Sequence, residues 1–189
     1  AFLEFRDKLY DHEKPREYKG GHTLRDYQID GVNWLASLWY KRSGCILADE
    51  MGLGKTVQIV CYIEHLHRVE KVRGPFLIVV PLSTVEHWRR EFEGWTDLRC
   101  CVYHDRQREW RDVMREYEWY FKDRPRTADY LKFDVLVTTY DTLIADFDIV
   151  GLVPWRVAVV DEAHRLRNVK GKLLECMKFI SQRGTLQHG

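Results

Sequence analysis

The stretch Ile46-Leu47-Ala48-Asp49-Glu50-Met51-Gly52-Leu53-Gly54-Lys55-Thr56 sets a cation and a hydroxyl directly behind a pair of glycines and a pair of acids. Glycine lacks a Cβ and can turn successive backbone N–H groups into one concavity, and a helix that starts there adds its positive dipole end. A polyphosphate fits such a cradle. Lys55 would reach the β- and γ-phosphates as a cation, and the Thr56 hydroxyl would ligate the Mg²⁺ that travels with a nucleotide. The common pattern G-x-x-x-x-G-K-[ST] has glycine where this chain has Asp49, so the stretch alone also fits a strand-to-helix turn with an incidental Lys-Thr pair.

About a hundred residues downstream comes Val157-Ala158-Val159-Val160-Asp161-Glu162-Ala163-His164, a short apolar run closed by two acids. It reads as a buried strand with Asp161 and Glu162 at its carboxyl end, where ligands bind in open α/β sheets. One carboxylate can hold a metal, directly or through water, while the next orients and deprotonates an attacking water. An acidic pair after a strand is by itself most often a solvated loop. Joined to the Lys-Thr loop, it reads as an ATP site whose chemistry rests on Lys55, Asp161 and Glu162, with Thr56 and Asp161 on the metal.

The elements that must position these groups follow from the rest of the chain. With 189 residues and 45% hydrophobic content, one sizeable core and one domain are expected, without room for a second lobe. Lys plus Arg (30) and Asp plus Glu (29) cancel to a net charge of +1, so a nucleic-acid surface would have to be local. The five cysteines include no C-x-x-C pair, and Cys45 and Cys61 fall in segments that read as buried, as reduced thiols of an intracellular protein would. His65 and His67 are expected on the exposed side of their helix and lack a cysteine pair at zinc spacing. No apolar run approaches membrane-spanning length, and a soluble protein is expected.

Residues 1–22 mix charges with Pro15 and Gly20-Gly21 and read as a lead-in or linker, leaving 23–189 as the folded lobe. From Thr23, a plausible N-cap, Leu24, Tyr27, Trp34, Leu35, Leu38 and Trp39 recur at helical spacing. Gln28 sits one position off that stripe. Strands are expected over Gly44 to Ala48, Phe76 to Val80, Cys100 to Tyr103, Asp134 to Thr138 and Val157 to Val160. Helices follow from Gly54, from Val85, over about Asp105 to Phe121, to about Phe147, and from Lys172. In the third of these stretches Trp110, Val113, Met114, Tyr117 and Phe121 form a stripe that reads as core rather than a base-stacking platform. The alternation argues for a mostly parallel α/β sheet with its polar motifs on one rim. Ser83, Thr84, Thr138 and Thr139 lie on that rim, where they either hold phosphates of a nucleic-acid strand or cap helices.

With these residues assembled, the chain resembles the first motor lobe of chromatin-remodelling ATPases of the SWI/SNF-like branch of helicase superfamily two, in particular the chromodomain-helicase-DNA-binding subfamily. The matching stretches are Leu24 to Gln28, Gly31 to Leu35, Ile46 to Thr56, Gly74 to Thr84, Glu91-Phe92 with Trp95, Arg115 to Trp119, Thr138-Thr139-Tyr140 and the DEAH box with Arg165 to Asn168. The family writes its phosphate loop DEMGLGKT, which accounts for Asp49. The resemblance implies a RecA-like P-loop fold of three layers, a mostly parallel sheet with helices on both faces. It also implies that Gln28 reads adenine, that Asp49, Glu50, Met51, Gly52, Leu53, Gly54, Lys55 and Thr56 bind the phosphates of ATP with Mg²⁺, and that Asp161 and Glu162 serve metal and water. Pro81, Leu82, Ser83, Thr84, Thr138, Thr139 and Tyr140 then look like contacts to the tracked DNA strand, and His164 like a link between nucleotide state and DNA grip. By the same resemblance the protein is a nuclear translocase on double-stranded DNA that moves nucleosomes.

The end of the chain departs from the pattern. Where the family has Thr-Gly-Thr-Pro-Leu-Gln-Asn, this sequence reads Arg183-Gly184-Thr185-Leu186-Gln187-His188, either a divergence or an alteration at a fragment's end. The second motor lobe, which supplies arginine fingers in such proteins, is absent from these residues, so weak ATP binding without DNA-stimulated turnover is expected. An RNA-directed DEAH-type helicase and a non-catalytic ATP-binding scaffold are the rival readings.

Overall fold

In the computed structural model, residues 9–45, 54–162 and 170–186 are described. The expected strand over Gly44 to Ala48 falls mostly outside them; Gly44 and Cys45, its first residues, are exposed and irregular. The chain divides into two compact units, Ala1–Val72 with Arg90–Asp97 and Arg73–Arg89 with Leu98–Gly189.

The first unit is built on helices α1 (Asp26–Tyr40) and α2 (Lys55–Arg68). Helix α1 buries Gln28, Ile29, Val32, Leu35 and Ala36. This corrects the expected stripe, because Tyr27 is 38% and Trp34 43% exposed. The physical reason lies in close helix packing: a Cβ at Gly31 would collide with the Gln58 side chain of α2, so the face beside Gly31 turns inward and the bulky aromatics turn out. Thr23 is not the N-cap; Arg25 is, and its backbone N–H donates to Gln28 Oε1 at 3.0 Å.

Helix α2 is buried from Val60 through Leu66, so His65, expected outside, is 1% exposed and its Nδ1 lies 3.2 Å from the Tyr10 hydroxyl. Burial also raises the Cys61 thiol to about 12. Cys45 is exposed, against expectation. The stretch read as a linker is fastened to both helices from Tyr10 onward. Tyr10 exchanges hydrogen bonds with the Asn33 amide at 2.8 and 3.0 Å, and Arg16 donates to Glu64 at 2.8 Å.

The second unit holds a parallel sheet of order β2-β3-β1-β4, formed by β1 (Phe76–Val80), β2 (Cys100–Tyr103), β3 (Val135–Thr139) and β4 (Val157–Val160). The register aligns Ile78 with Val137 and Val159, and Val102 with Val137. β1 and β3 are buried throughout, as the unbroken apolar runs of parallel strands require. β4 is only half-buried, since among the described residues it is an outer strand. The α/β class with a parallel sheet is thus what the alternation of strands and helices predicts.

Helix α3 (Val85–Trp95) follows a 3-10 turn, Leu82–Thr84, after β1. Helix α4 (Arg108–Met114) runs into a π-helical turn, Arg115–Trp119. Here four of the five residues of the expected core stripe face out: Trp110 is 56%, Val113 45%, Tyr117 71% and Phe121 47% exposed, and Met114 alone of the five packs half-buried against the core. The fully inward positions belong to Arg111 and Trp119. Arg111 turns in because Asp146, 1% exposed, needs it: the guanidinium donates through Nε at 2.7 Å and Nη2 at 3.0 Å. The π turn then rotates Trp119 beneath the sheet, edge-on to Tyr103 at 4.9 Å and to Phe133 at 5.6 Å.

Helices α5 (Tyr140–Ala145) and α6 (Phe147–Val150) flank Asp146, and α7 (Lys170–Leu186) closes the described chain, carrying Arg183 to Leu186 as helix. Leu77, Trp119, Leu136, Leu143, Trp155 and Ile180 belong to one core cluster. Among the described residues no helix is long and apolar enough to cross a membrane.

Candidate functional site

The candidate residues fall in both units. In the first, Gly54 is the N-cap of α2 at φ 74°, the left-handed region that glycine occupies without a Cβ penalty. Lys55 and Thr56 open the helix, both half-buried, where free N–H groups and the dipole of a helix favour an anion. Gln28 comes up against the same point: a Cβ on Gly54 would stand 2.5 Å from Gln28 Nε2. Its Oε1 accepts from Arg25 N–H, which fixes the amide orientation. Structure therefore joins Gln28 to Gly54, a proximity that residue spacing alone cannot reveal. Asp49, Glu50, Met51, Gly52 and Leu53 lie outside the described residues, as does His164.

In the second unit the parallel strands bring their carboxyl ends to one edge, and Asp161 and Glu162 follow β4 there. Asp161 N–H donates to the Val79 carbonyl at 2.9 Å, prolonging the β1–β4 ladder by one residue. Trp88 Nε1 donates to its Oδ2 at 3.0 Å, and the Tyr140 hydroxyl donates to its backbone carbonyl. The carboxylate is thus held through Oδ2 and its backbone through the carbonyl. Glu162 adopts φ 52°, a left-handed conformation uncommon for a residue with a Cβ and typical of strained functional positions.

The rim residues divide by exposure. After β1, Leu82 and Ser83 are exposed and Pro81 and Thr84 half-buried, with Thr84 Oγ1 donating to the Pro81 carbonyl at 3.0 Å. After β3 the groups face inward. Thr138 Oγ1 donates to the Tyr103 carbonyl at 2.7 Å, and Thr139 Oγ1 caps α5 by accepting from Thr142 N–H at 3.2 Å. Tyr140 is 8% exposed. The helix-capping role weighed for Thr139 is therefore present in the fold.

Two residues at this edge carry no role in the sequence reading. His104 directly follows β2, with Nδ1 at 2.9 Å from Thr142 Oγ1 and 3.1 Å from Thr139 Oγ1. Its position just past a strand is the signal that could have found it. Trp88 reads from sequence only as an apolar residue of a helix, and nothing in the spacing announces a bond to Asp161.

Taken unit by unit, a cation and a hydroxyl at a helix start with an oriented amide beside them suit the phosphates of a nucleotide, and a carboxylate fixed at a strand end suits a divalent metal. Comparison with known proteins gives the family. The SNF2-related domain family model matches residues 27–186. The chain is 46% identical over 171 residues to chromodomain-helicase-DNA-binding protein 8 of Xenopus tropicalis, covering 89% of this chain and 8% of that protein. It is likewise 46% identical over 171 residues to chromodomain-helicase-DNA-binding protein 7 of Homo sapiens, covering 89% of the chain and 6% of the relative. The chain thus spans less than about a tenth of the length of these relatives. Its fold is similar to that of the Sulfolobus solfataricus SWI2/SNF2 ATPase core solved in complex with dsDNA, with a TM-score of 0.68, 27% identity, and coverage of 90% of this chain and 32% of that one. On the family match and the parallel α/β sheet together, the chain belongs to the SNF2-related domain family.

Proposed function

We propose that this chain is the ATP-binding lobe of a nuclear, ATP-dependent translocase on double-stranded DNA that remodels nucleosomes. The observation that carries the reading is the Asp161 carboxylate, placed at the carboxyl end of the parallel sheet and bonded there by Trp88. In this reading Gln28 recognises the adenine, the Asp49 to Thr56 loop surrounds the phosphates, and Lys55 neutralises the β- and γ-phosphoryl charge. Thr56 and Asp161 would hold Mg²⁺, which would supply positive charge against that developing on the phosphates. Glu162 orients the attacking water and accepts its proton. Pro81, Leu82, Ser83, Thr84, Thr138, Thr139 and Tyr140 follow the backbone of the tracked strand, and His164 relays nucleotide state to that grip.

Replacing Glu162 with Gln in the full-length protein tests the reading. The variant should keep its affinity for nucleotide and lose DNA-stimulated hydrolysis; a scaffold would show no change in activity, and stimulation by RNA but not duplex DNA would favour an RNA-directed helicase. A second motor lobe supplies the arginine fingers, worth about 10³ to 10⁵ in turnover. The 189-residue chain alone should then bind ATP weakly and show no stimulation by DNA in a phosphate-release assay.

A further inference from the structure

Asp161 is held by two buried aromatic side chains, and each grows out of a segment assigned above to the DNA strand. Trp88 stands one helical turn beyond Thr84 and is 1% exposed, and its indole N–H reaches Asp161 Oδ2 at 3.0 Å. Tyr140 is the last residue of the Thr138 to Tyr140 segment, is 8% exposed, and donates its hydroxyl to the Asp161 carbonyl. One bond therefore fixes the carboxylate and the other fixes the backbone that bears it. Both segments sit on the strands next to each other at the centre of the sheet, β1 and β3, and Asp161 N–H is tied to β1 through Val79.

Resting on the DNA-translocase reading, we infer that Trp88 and Tyr140 are positioning residues that couple a DNA strand lying along Pro81–Thr84 and Thr138–Tyr140 to the orientation of the metal-holding Asp161. A shift of either segment on loading with DNA moves a donor of Asp161 with it. Coupling of this kind is reciprocal: duplex that improves the grip on metal and nucleotide must itself be bound more tightly in their presence, by the same factor. Groups that orient a metal ligand from behind commonly change metal affinity by about 10- to 100-fold when removed.

The test measures that factor directly in the full-length protein. Binding of Mn²⁺ with a non-hydrolysable ATP analogue is followed by electron paramagnetic resonance with and without a duplex oligonucleotide, and duplex binding is measured with and without Mn²⁺ and analogue. Trp88 is replaced by β-(3-benzothienyl)alanine, which keeps the shape of indole and lacks its N–H; W88F is the simpler companion and loses packing as well. In the unaltered protein duplex should tighten Mn²⁺ and nucleotide by roughly 5- to 150-fold. With the benzothienyl side chain that factor should fall towards unity in both directions, while duplex affinity without nucleotide and the melting temperature stay where they were. Y140F should lower the factor through the backbone anchor. Retention of the full factor in the benzothienyl protein overturns the inference and leaves the translocase reading intact. Failure of the unaltered protein to bind duplex at all overturns both.

Discussion

Asp146 offers the sharpest test of how the second unit is held together. Its carboxylate is 1% exposed and takes two hydrogen bonds from Arg111, at 2.7 and 3.0 Å, one from the Tyr103 hydroxyl at 2.6 Å, and the charge of Arg115 at 3.5 Å. In D146A, Arg115 still has Asp112, which is half exposed. Arg111 does not fare as well: its side chain is 8% exposed and is left with neutral partners, the backbone carbonyls of Asp105 and Arg106 at 2.8 and 3.4 Å and the Tyr103 hydroxyl. Breaking a buried ion pair from one side costs about 3–5 kcal/mol, because a charge is left without compensation. For a chain of this length that corresponds to a fall in melting temperature of roughly 6–20 °C. Urea unfolding followed by circular dichroism gives the number directly. The pair R111M/D146L should recover most of the loss, since apolar groups of similar volume remove the stranded charge.

The pH dependence has a definite sign. Burial alone would raise the Asp146 carboxyl; the hydrogen bonds of Arg111 and Tyr103 and the charges of Arg111 and Arg115 outweigh it, and the pKa is lowered. A lowered folded value adds stability that is fully present above the unfolded carboxyl pKa, about 3.9, and lost as pH falls through the folded one. The gap between the unaltered chain and D146A should therefore be constant near neutrality and close below about pH 4. A cost under about 1 kcal/mol at pH 7, or a gap that does not narrow in acid, refutes this account of the network.

Two further outcomes follow from the same coordinates. G54A should lose nucleotide affinity and about 1–2 kcal/mol of stability by titration calorimetry and thermal unfolding, since alanine would have to hold φ 74° with its Cβ 2.5 Å from Gln28 Nε2. Adding Q28A removes the collision and not the strain, so the double variant should recover only part; full recovery would show that the backbone angle is unimportant. W110A and Y117A should each change stability by no more than about 0.5 kcal/mol, whereas W119A, at a fully buried position, should cost about 3–5 kcal/mol. Equal costs at the three sites would return the aromatic stripe to the core.

Much of the sheet was legible because parallel strands leave an unmistakable trace. Phe76 to Val80 and Val135 to Thr139 are covered on both faces and are written as continuous apolar runs, bounded by Pro81 and by the start of α5. The placement of the candidate residues was legible for a similar reason: Gly54-Lys55-Thr56 stands at a helix start and Asp161-Glu162 follows a strand, as the runs beside them predict. The helices were harder. Period alone chose Tyr27 and Trp34 for the inner face of α1, but the contact at Gly31 and Gln58 decides which side can approach α2. In α4 the aromatic stripe has the right spacing, yet the demand of Asp146 for a buried cation turns Arg111 inward and the π turn moves Trp119 to the core. Such decisions are made by residues far apart in sequence, and no local window contains them. The bond of Trp88 to Asp161 is of the same kind, joining positions separated by 73 residues.

The backbone at Glu162 limits which inert control is informative. At φ 52° a β-branched replacement would push the turn out of shape and remove the carboxylate together, so lost turnover in a valine or threonine variant would have two causes. Glutamine keeps the length and the branching of the native side chain, and a glycine variant would relax the loop while deleting the group. Measured side by side, those two separate what the carboxylate contributes from what the contorted main chain contributes.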